Sequence, residues 1–395
     1  MRPSFLRLAE VAGSFLKLGL ISFGGPVAHL GYFREEFVRR RQWLDDDAYS
    51  DVVALCQFLP GPASSQVAFA LGLQRAGLAG GLLAGLSFLL PSAVLMIFFA
   101  YGLAALGAGP EAGWMHGLKL AAVAVVAQAV WSMTGRLCPD WTRRALALAA
   151  AALALAWAGP AGPIAAIATG AVLGGWRFRS LPAPAPPAGA PRSRLLAPIL
   201  ALTAFAAILL LFPAAAAASG RRSALILASF FRAGALVFGG GHVVLPLLRA
   251  ELVPRHWISD DAFLAGYGAV QAMPGPLFSF AAYLGAVMIP GRHPWLGGVA
   301  CLLAIFLPGW LLVGGVWPYW QTLRAKPEIR GALAGANAAV VGVLLAALYN
   351  PVWLQSVHRG RDAAAAAVIF GLLKWGRVPV WLLVPAAAAA GQWLI

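Results

Sequence analysis

The chain has 395 residues, of which 61% are hydrophobic and only 11% charged. Soluble domains carry about 25% charged residues, so the composition excludes a soluble globular protein and indicates a polytopic membrane protein with the lipid bilayer as its solvent. The net charge of +15 does not indicate nucleic acid, because the Lys and Arg residues lie at the ends of apolar segments, where membrane topology places them.

In chain order, an apolar segment over 5–31 leads to Phe23-Gly24-Gly25. Arg7, Glu10 and Lys17 interrupt it, so it lacks the form of a cleaved signal peptide and is expected to remain as part of the first membrane helix. Two segments of about a dozen residues follow, 48–59 and 63–75, on either side of Pro60-Gly61-Pro62. Each is too short to cross a bilayer at 1.5 Å per residue. Proline cannot donate to the helix ladder, and the glycine between two prolines permits a sharp reversal. The pair reads as a re-entrant hairpin or a broken helix, tolerated at membrane depth where it is buried or lines a wet cavity.

Apolar stretches of spanning length follow at 82–106, 114–134, 142–158 and 161–177. The Pro/Ala run 181–194 reads as an extended spacer. An apolar helix at 195–216 has no counterpart in the repeat. Then come 224–248, the short pair 262–273 and 277–290 around Pro274-Gly275-Pro276, and apolar stretches at 295–317, 331–349, 363–375 and 378–395. The organisation is therefore a first repeat at 1–180, a linker at 181–194, an extra transmembrane helix at 195–218 and a second repeat at 219–395. Cys56, Cys138 and Cys301 have no paired spacing and read as small buried hydrophobes, with no disulfide framework.

The two halves repeat each other. Phe23-Gly24-Gly25 returns as Phe238-Gly239-Gly240, and Arg34 and Glu36 return as Arg249 and Glu251, all 215 residues on. Trp43, Asp46, Asp47 and Ala48 return as Trp257, Asp260, Asp261 and Ala262, Gln57 as Gln271, and Ser65 as Ser279, all at 214. Repeated units with Gly/Pro-interrupted helices are the pattern of secondary transporters, whose sites form between the repeats. The fold class is thus an all-α polytopic membrane protein with two homologous halves. In the first half the basic loops around Arg34–Arg41, Arg136–Arg144 and Arg177–Arg194 belong on the cytoplasmic side. If each half crosses an even number of times, the lone 195–216 helix inverts the second half; if odd, the halves run parallel. Inversion is the expectation.

Helices starting after Pro60-Gly61-Pro62 and Pro274-Gly275-Pro276 would present unpaired N–H groups and a positive dipole end, a ready anion site. Ser65 and Ser279 could add hydroxyl donors. A hinge without ligand is the competing reading. The paired glycines Gly24/Gly25 and Gly239/Gly240 break a helix or permit close packing. Lys17 and Arg232, in apolar runs, are candidate countercharges for an anion, against simple snorkelling. Gln57 and Gln271 are buried amides in need of partners, from substrate or a neighbouring helix. Arg34, Glu36, Arg249 and Glu251 are coupling or gating candidates; Arg34 and Glu36 are spaced so that each pairs elsewhere. Asp46, Asp47, Asp260 and Asp261 read as helix caps. The histidines show no metal-ligand spacing, and no cofactor motif, nucleotide loop or hydrolase motif is present. A membrane enzyme holding Mg²⁺ on Asp46, Asp47 and Asp51 is a distant rival, since Asp51 corresponds to Ala265.

The ordered set Phe23-Gly24-Gly25-Pro26, Arg34-Glu35-Glu36, Trp43-Leu44 with Asp46-Asp47, and Gln57-Phe58-Leu59-Pro60-Gly61-Pro62, seen twice, resembles the chromate transporter (CHR) family in its long, two-domain form. The resemblance is clear over about 5–135 and 224–350. It implies a bacterial inner-membrane protein that expels chromate using the proton motive force, with halves of opposite orientation. Sulfate, the isosteric dianion, is the linked alternative substrate, and a homodimer is compatible. The second half departs from the pattern with Gly241-His242 in place of proline, so the halves need not contribute equally.

Overall fold

The computed structural model describes residues 5–106, 112–157, 159, 161–180, 196–238, 241–289, 291 and 293–394. The expected spacer at 181–194 and the pair Gly239/Gly240 lie outside the described residues. Within them the structure is helical, with no strands: α1 (Phe5–Ile21), α2 (Gly25–Phe33), α3 (Asp46–Phe58), α4 (Ala63–Leu106), α5 (Gly113–Leu137), α6 (Trp141–Ala156), α7 (Ala161–Arg177), α8 (Leu196–Ser219), α9 (Arg222–Leu236), α10 (Val244–Leu252), α11 (Asp260–Val270), α12 (Phe280–Met288), α13 (Pro294–Val316), α14 (Trp320–Ala325), α15 (Pro327–Ala347), α16 (Gly360–Lys374) and α17 (Val380–Leu394). Five segments, 63–105, 113–137, 196–219, 294–319 and 327–353, are long and apolar enough to cross a membrane.

The leading segments are not single helices. α1 stops at Ile21 and α2 begins at Gly25, because Gly24 and Gly25 take φ of 97° and 76°, a left-handed backbone that glycine alone adopts without strain. α9 likewise stops at Leu236, and the next helical turn starts at Gly241. The helix caps fall one residue earlier than the sequence suggests. Asp45 Oδ1 accepts from Ala48 N–H at 2.8 Å and Ser259 Oγ from Ala262 N–H at 3.2 Å. Asp46 and Asp260 are thereby released to pair with arginine, as described below.

After Pro60-Gly61-Pro62 the chain turns back. Trp43, just before α3, and Arg75, near a break in α4 at Ala76-Gly77, lie together, the Arg75 guanidinium 5.0 Å from the Trp43 ring. An uninterrupted helix would hold them roughly 48 Å apart. α12 doubles back along α11 in the same way. The Tyr283 hydroxyl donates to the Ala262 carbonyl at 2.8 Å, and Phe280 packs on Phe263 and Tyr267. Each half therefore contains a short helical hairpin with Pro-Gly-Pro at its tip. Beyond the break, α4 runs on for 78–106, long enough to span by itself.

Helices of the two halves pack antiparallel: α4 on its counterpart α13, and α5 and α7 each on the counterpart of the other, α17 and α15. On α4 and α13, Gly85 lies against Trp310 while Ile97 lies against Gly298. Gly113 and Gly117 of α5 face Gly391 and Ala387 of α17, and Gly170 and Gly174 of α7 face Gly335 and Gly331 of α15. Small residues let backbones approach closely, which is the main source of helix cohesion in lipid. The second half thus interleaves with the first. α8 sits outside, on α9 and α13, with Leu202 against Gly315.

Candidate functional site

The hairpin tips are held by the opposite half. Gly61 N–H donates to the Val237 carbonyl at 2.7 Å, and Gly275 N–H donates to the Ser22 carbonyl at 2.8 Å. Each acceptor immediately precedes a Phe-Gly-Gly sequence. The packing around the tips is reciprocal as well. Trp310 on α13 donates to Ser65 Oγ at 3.1 Å, and Ser92 on α4 shares a 2.5 Å hydroxyl bond with Ser279. Gln66 Nε2 donates to the Pro60 carbonyl at 2.8 Å, closing the first tip.

These breaks open onto one cavity of about 550 Å³. Its wall brings together Gly24, Gly25, Gln57 and Gly61 from the first repeat with Gln271 and Gly275 from the second. Ala63, the first residue of α4, and Leu277, just after the second tip, also face it, so N–H-bearing segment starts from both halves border the same space. Such starts carry partial positive charge. Gln271 Nε2 is buried and makes no hydrogen bond of good geometry. Pro60, Pro62, Pro274 and Pro276 shape the tips without lining the cavity. Ser65 and Ser279, fully buried, are spent on the contacts between halves.

Lys17 and Arg232 do not reach this cavity. Lys17 Nζ lies 3.5 Å from Glu36, and Arg232 makes a two-pronged pair with Glu251 at 2.7 Å on both oxygens. A charge in apolar surroundings takes the nearest countercharge, and these carboxylates supply it. Arg40 and Arg41 also contact Glu36 at 3.1 and 2.7 Å, while Ser229 donates to Glu251 at 3.0 Å. The pairs tie α1 to the turn Arg34–Arg40 and α9 to α10. Arg34 and Arg249 hold Asp46 and Asp260, each at 2.7 Å, fixing the start of each hairpin. Asp46 also meets Arg39, and Asp51 accepts from Trp320 across the halves, so these aspartates are engaged in protein contacts.

Burial pushes the Glu36 carboxyl up, but the Arg41 hydrogen bond and the charges of Lys17, Arg41 and Arg40 outweigh it. The carboxyl is held below the usual range. Glu36 therefore stays ionised at neutral pH.

Several wall residues escaped the sequence reading: Gln128, Ser132 and Arg136 on α5, Asn337 on α15, and His242. His242 shares a 2.8 Å hydrogen bond with the Tyr267 hydroxyl, and it occupies the position where the second repeat departs from the first. The signal available for α5 was a polar residue every four positions, 128, 132 and 136, in the second half of a largely apolar helix.

A multi-pass membrane protein whose two halves contribute equivalent helix breaks to one cavity has the architecture of a secondary transporter. The sequence profile of the chromate transporter family matches residues 9–175 and 224–392, and the chain belongs to that family. It is 29% identical to a chromate transport protein of Pseudomonas aeruginosa, over 100% of this chain and 94% of that one. It is 27% identical to a chromate transport protein of Cupriavidus metallidurans, over 97% and 92% of the two chains. An uncharacterised transporter of Methanocaldococcus jannaschii is 24% identical over 84% of this chain and 81% of its own. No solved structure matches.

Proposed function

We propose that this protein exports chromate across the bacterial plasma membrane, driven by the proton motive force, through the cavity between its halves. The carrying observation is that both Pro-Gly-Pro tips and both glutamines of the repeat meet on one wall, in a chain of the chromate transporter family. A tetrahedral dianion in low dielectric needs N–H donors and positive potential. The starts of α2, α4 and the segment after Pro276 provide donors, and Gln57 and Gln271 add amides that can follow the anion's orientation. Export is the direction the potential favours. Moving one charge through 100 mV is worth about 2.3 kcal/mol, so a dianion leaving a negative interior gains about 4.6 kcal/mol per 100 mV.

In this reading the hairpins are re-entrant and the halves are inverted repeats. Support comes from the meeting of Trp43 and Arg75, which returns the first hairpin to the face it entered from. Support for inversion comes from the antiparallel packing of α4 on α13. Lys119, near the start of α5, pairs with Asp261 at 2.8 Å at the base of the second hairpin. In this reading that base belongs at the end of the bundle opposite Trp43. Transport would proceed by rocking of one half on the other about the tips, with the pairs Lys17–Glu36 and Arg232–Glu251 keeping each half rigid.

The test is labelled chromate uptake into energised everted vesicles, with sulfate as competitor and an uncoupler as control. Uncoupler-sensitive accumulation above empty vesicles, reduced by sulfate, is the expected result. No accumulation by inserted, intact protein would overturn the assignment.

A further inference from the structure

We propose that Arg136 selects divalent over monovalent oxyanions, drawing the substrate to the cavity mouth and passing it down a polar stripe on α5. This deepens the transport reading above and rests on it. Gln128, Ser132 and Arg136 lie one turn apart on the same face of α5, and all three line the cavity. Arg136 is in the last turn of that helix and exposed, so it stands at the open end of the stripe, with Gln128 further in.

Two features make this cation decisive. Among the described residues it is the one Lys or Arg on the cavity wall, and no Asp or Glu lines that wall. The neighbouring basic side chains are committed elsewhere: Arg143 pairs with Asp140 and stacks on Phe178, Arg144 stacks on Trp141, and Lys374 lies over Trp131. Second, the mouth is also the C-terminal end of α5, where unpaired carbonyls present negative potential. Without Arg136 an approaching anion would be repelled there; with it, the sign at the mouth reverses. Attraction to a fixed positive charge doubles when the ligand carries two charges rather than one. The residue therefore sets the preference by charge, while the N–H donors deeper in recognise tetrahedral oxygen atoms of either charge class.

The experiment compares wild type, Arg136→Gln, Arg136→Lys and Arg144→Gln in everted vesicles at matched insertion. It measures chromate KM and Vmax and competition by sulfate (divalent) and perchlorate (monovalent). Wild type is expected to be inhibited far better by sulfate than by perchlorate. Arg136→Gln should raise the chromate KM at least about tenfold with Vmax within about twofold, and should cut the sulfate-to-perchlorate preference by about tenfold or more, leaving only the part set by the helix starts. Arg136→Lys should keep most of that preference, and Arg144→Gln all of it. If Arg136→Gln is inactive, thermal stabilisation of the purified protein by sulfate against perchlorate gives the same comparison. Unchanged KM and unchanged preference in Arg136→Gln would overturn the inference alone. Failure of wild type to transport chromate would overturn the transport reading and this inference together.

Discussion

The amide of Gly61 reaches across the molecule to the carbonyl of Val237, 2.7 Å away. Its repeat counterpart, Gly275, makes the same bond to Ser22 at 2.8 Å. Each hairpin tip is thus fastened to the other half, and both tips line the shared cavity. Neither break could satisfy its own backbone within its own half by regular helix bonding, and an unpaired buried amide or carbonyl is costly.

Gly61 and Gly275 have φ of 126° and 91°, so any side chain is strained there. At Gly61 a Cβ would lie 2.8 Å from Gln66 Nε2 and 3.2 Å from the Gly309 backbone; at Gly275 it would meet Ser92 Oγ at 3.0 Å. Gly61→Ala is expected to cost about 1–3 kcal/mol of stability and to abolish transport. Gly275→Ala should cost less, because its close contacts are with one side chain, Ser92, at 3.0 and 3.3 Å, and none is under 3.0 Å. Thermal unfolding of the detergent-purified variants, alongside vesicle uptake, checks the order; Gly275→Ala proving the worse of the two would contradict it.

The charged pairs are unequal although their sequence positions match. Glu251 is 4% exposed and depends on Arg232 for two of its bonds, whereas Glu36 keeps Arg40 and Arg41 if Lys17 is lost, and the Lys17 side chain is 49% exposed. Arg232→Ala leaves the buried carboxylate with the Ser229 hydroxyl at 3.0 Å and only the longer Arg255 contact at 3.8 Å, and should destabilise by up to about 3–5 kcal/mol. Lys17→Ala should change stability by about 0–1 kcal/mol. Melting curves of the two variants side by side measure the difference, and equal losses would show that the surplus arginines do not protect Glu36.

The Glu36 carboxyl, on the turn Arg34–Arg40 outside the apolar spans, titrates below its ordinary value of 4.5. A carboxyl whose folded-state pKa is depressed adds stability above its unfolded pKa, and that stability is lost as pH falls through the folded value. Wild-type stability should therefore decline on acidification below about 4.5, and Glu36→Gln should flatten that decline. The same carboxyl should stay charged throughout the neutral range. A Glu36→Gln variant whose acid limb matches wild type would remove the group from the balance.

Much of this arrangement was legible in the sequence, and the illegible part has a physical pattern. The turns at Pro-Gly-Pro and the break at Gly24-Gly25 could be read because Pro and Gly act on the local backbone, whereas Gln57, expected as a buried amide, is exposed. The identity of the countercharge could not be read. Lys17 and Glu36 are 19 residues apart and meet only after the chain turns back at Gly24. The α5 stripe was missed for a different reason. A reading guided by recurrence passes over residues that do not recur, and 214 positions beyond Gln128, Ser132 and Arg136 stand Gly342, Ala346 and Asn350. The cap shift from Asp46 to Asp45 follows from competition: Arg34 claims Asp46, leaving its neighbour to take the helix N–H groups.

Contact between halves depends on bare backbone. A Cβ on Gly335 would collide with the Gly170 carbonyl oxygen and crowd Gly174, and one on Gly174 would strike the Gly331 carbonyl oxygen. Gly335→Val should force α7 and α15 apart, with a loss of about 1–3 kcal/mol from overpacking. Gly314, where an added methyl would have no atom within 4 Å, is the control and should tolerate alanine. Cross-linking between cysteines on α7 and α15, or size-exclusion behaviour in mild detergent, reports the separation. Indistinguishable behaviour of the Gly335 and Gly314 variants would mean that this seam does not hold the halves together.

The two hairpins give the most direct test of orientation. Gln42 and His256 occupy equivalent positions 214 residues apart, with φ of 51° and 53°, just outside the base of each hairpin, and both are exposed. Gln42 adjoins Arg41 and Trp43, which meet Glu10; His256 adjoins Trp257, at the end where Lys119 binds Asp261. Inverted halves place these two residues on opposite faces of the membrane. Cys56, Cys138 and Cys301 are all free and buried and can be replaced by alanine to give a silent background. Gln42→Cys and His256→Cys should then react with an impermeant maleimide from opposite sides, the first only in everted vesicles and the second only in right-side-out cells. Labelling of both from the same side would show that the halves run parallel, and the rocking motion about the two tips would have to be abandoned with the inversion.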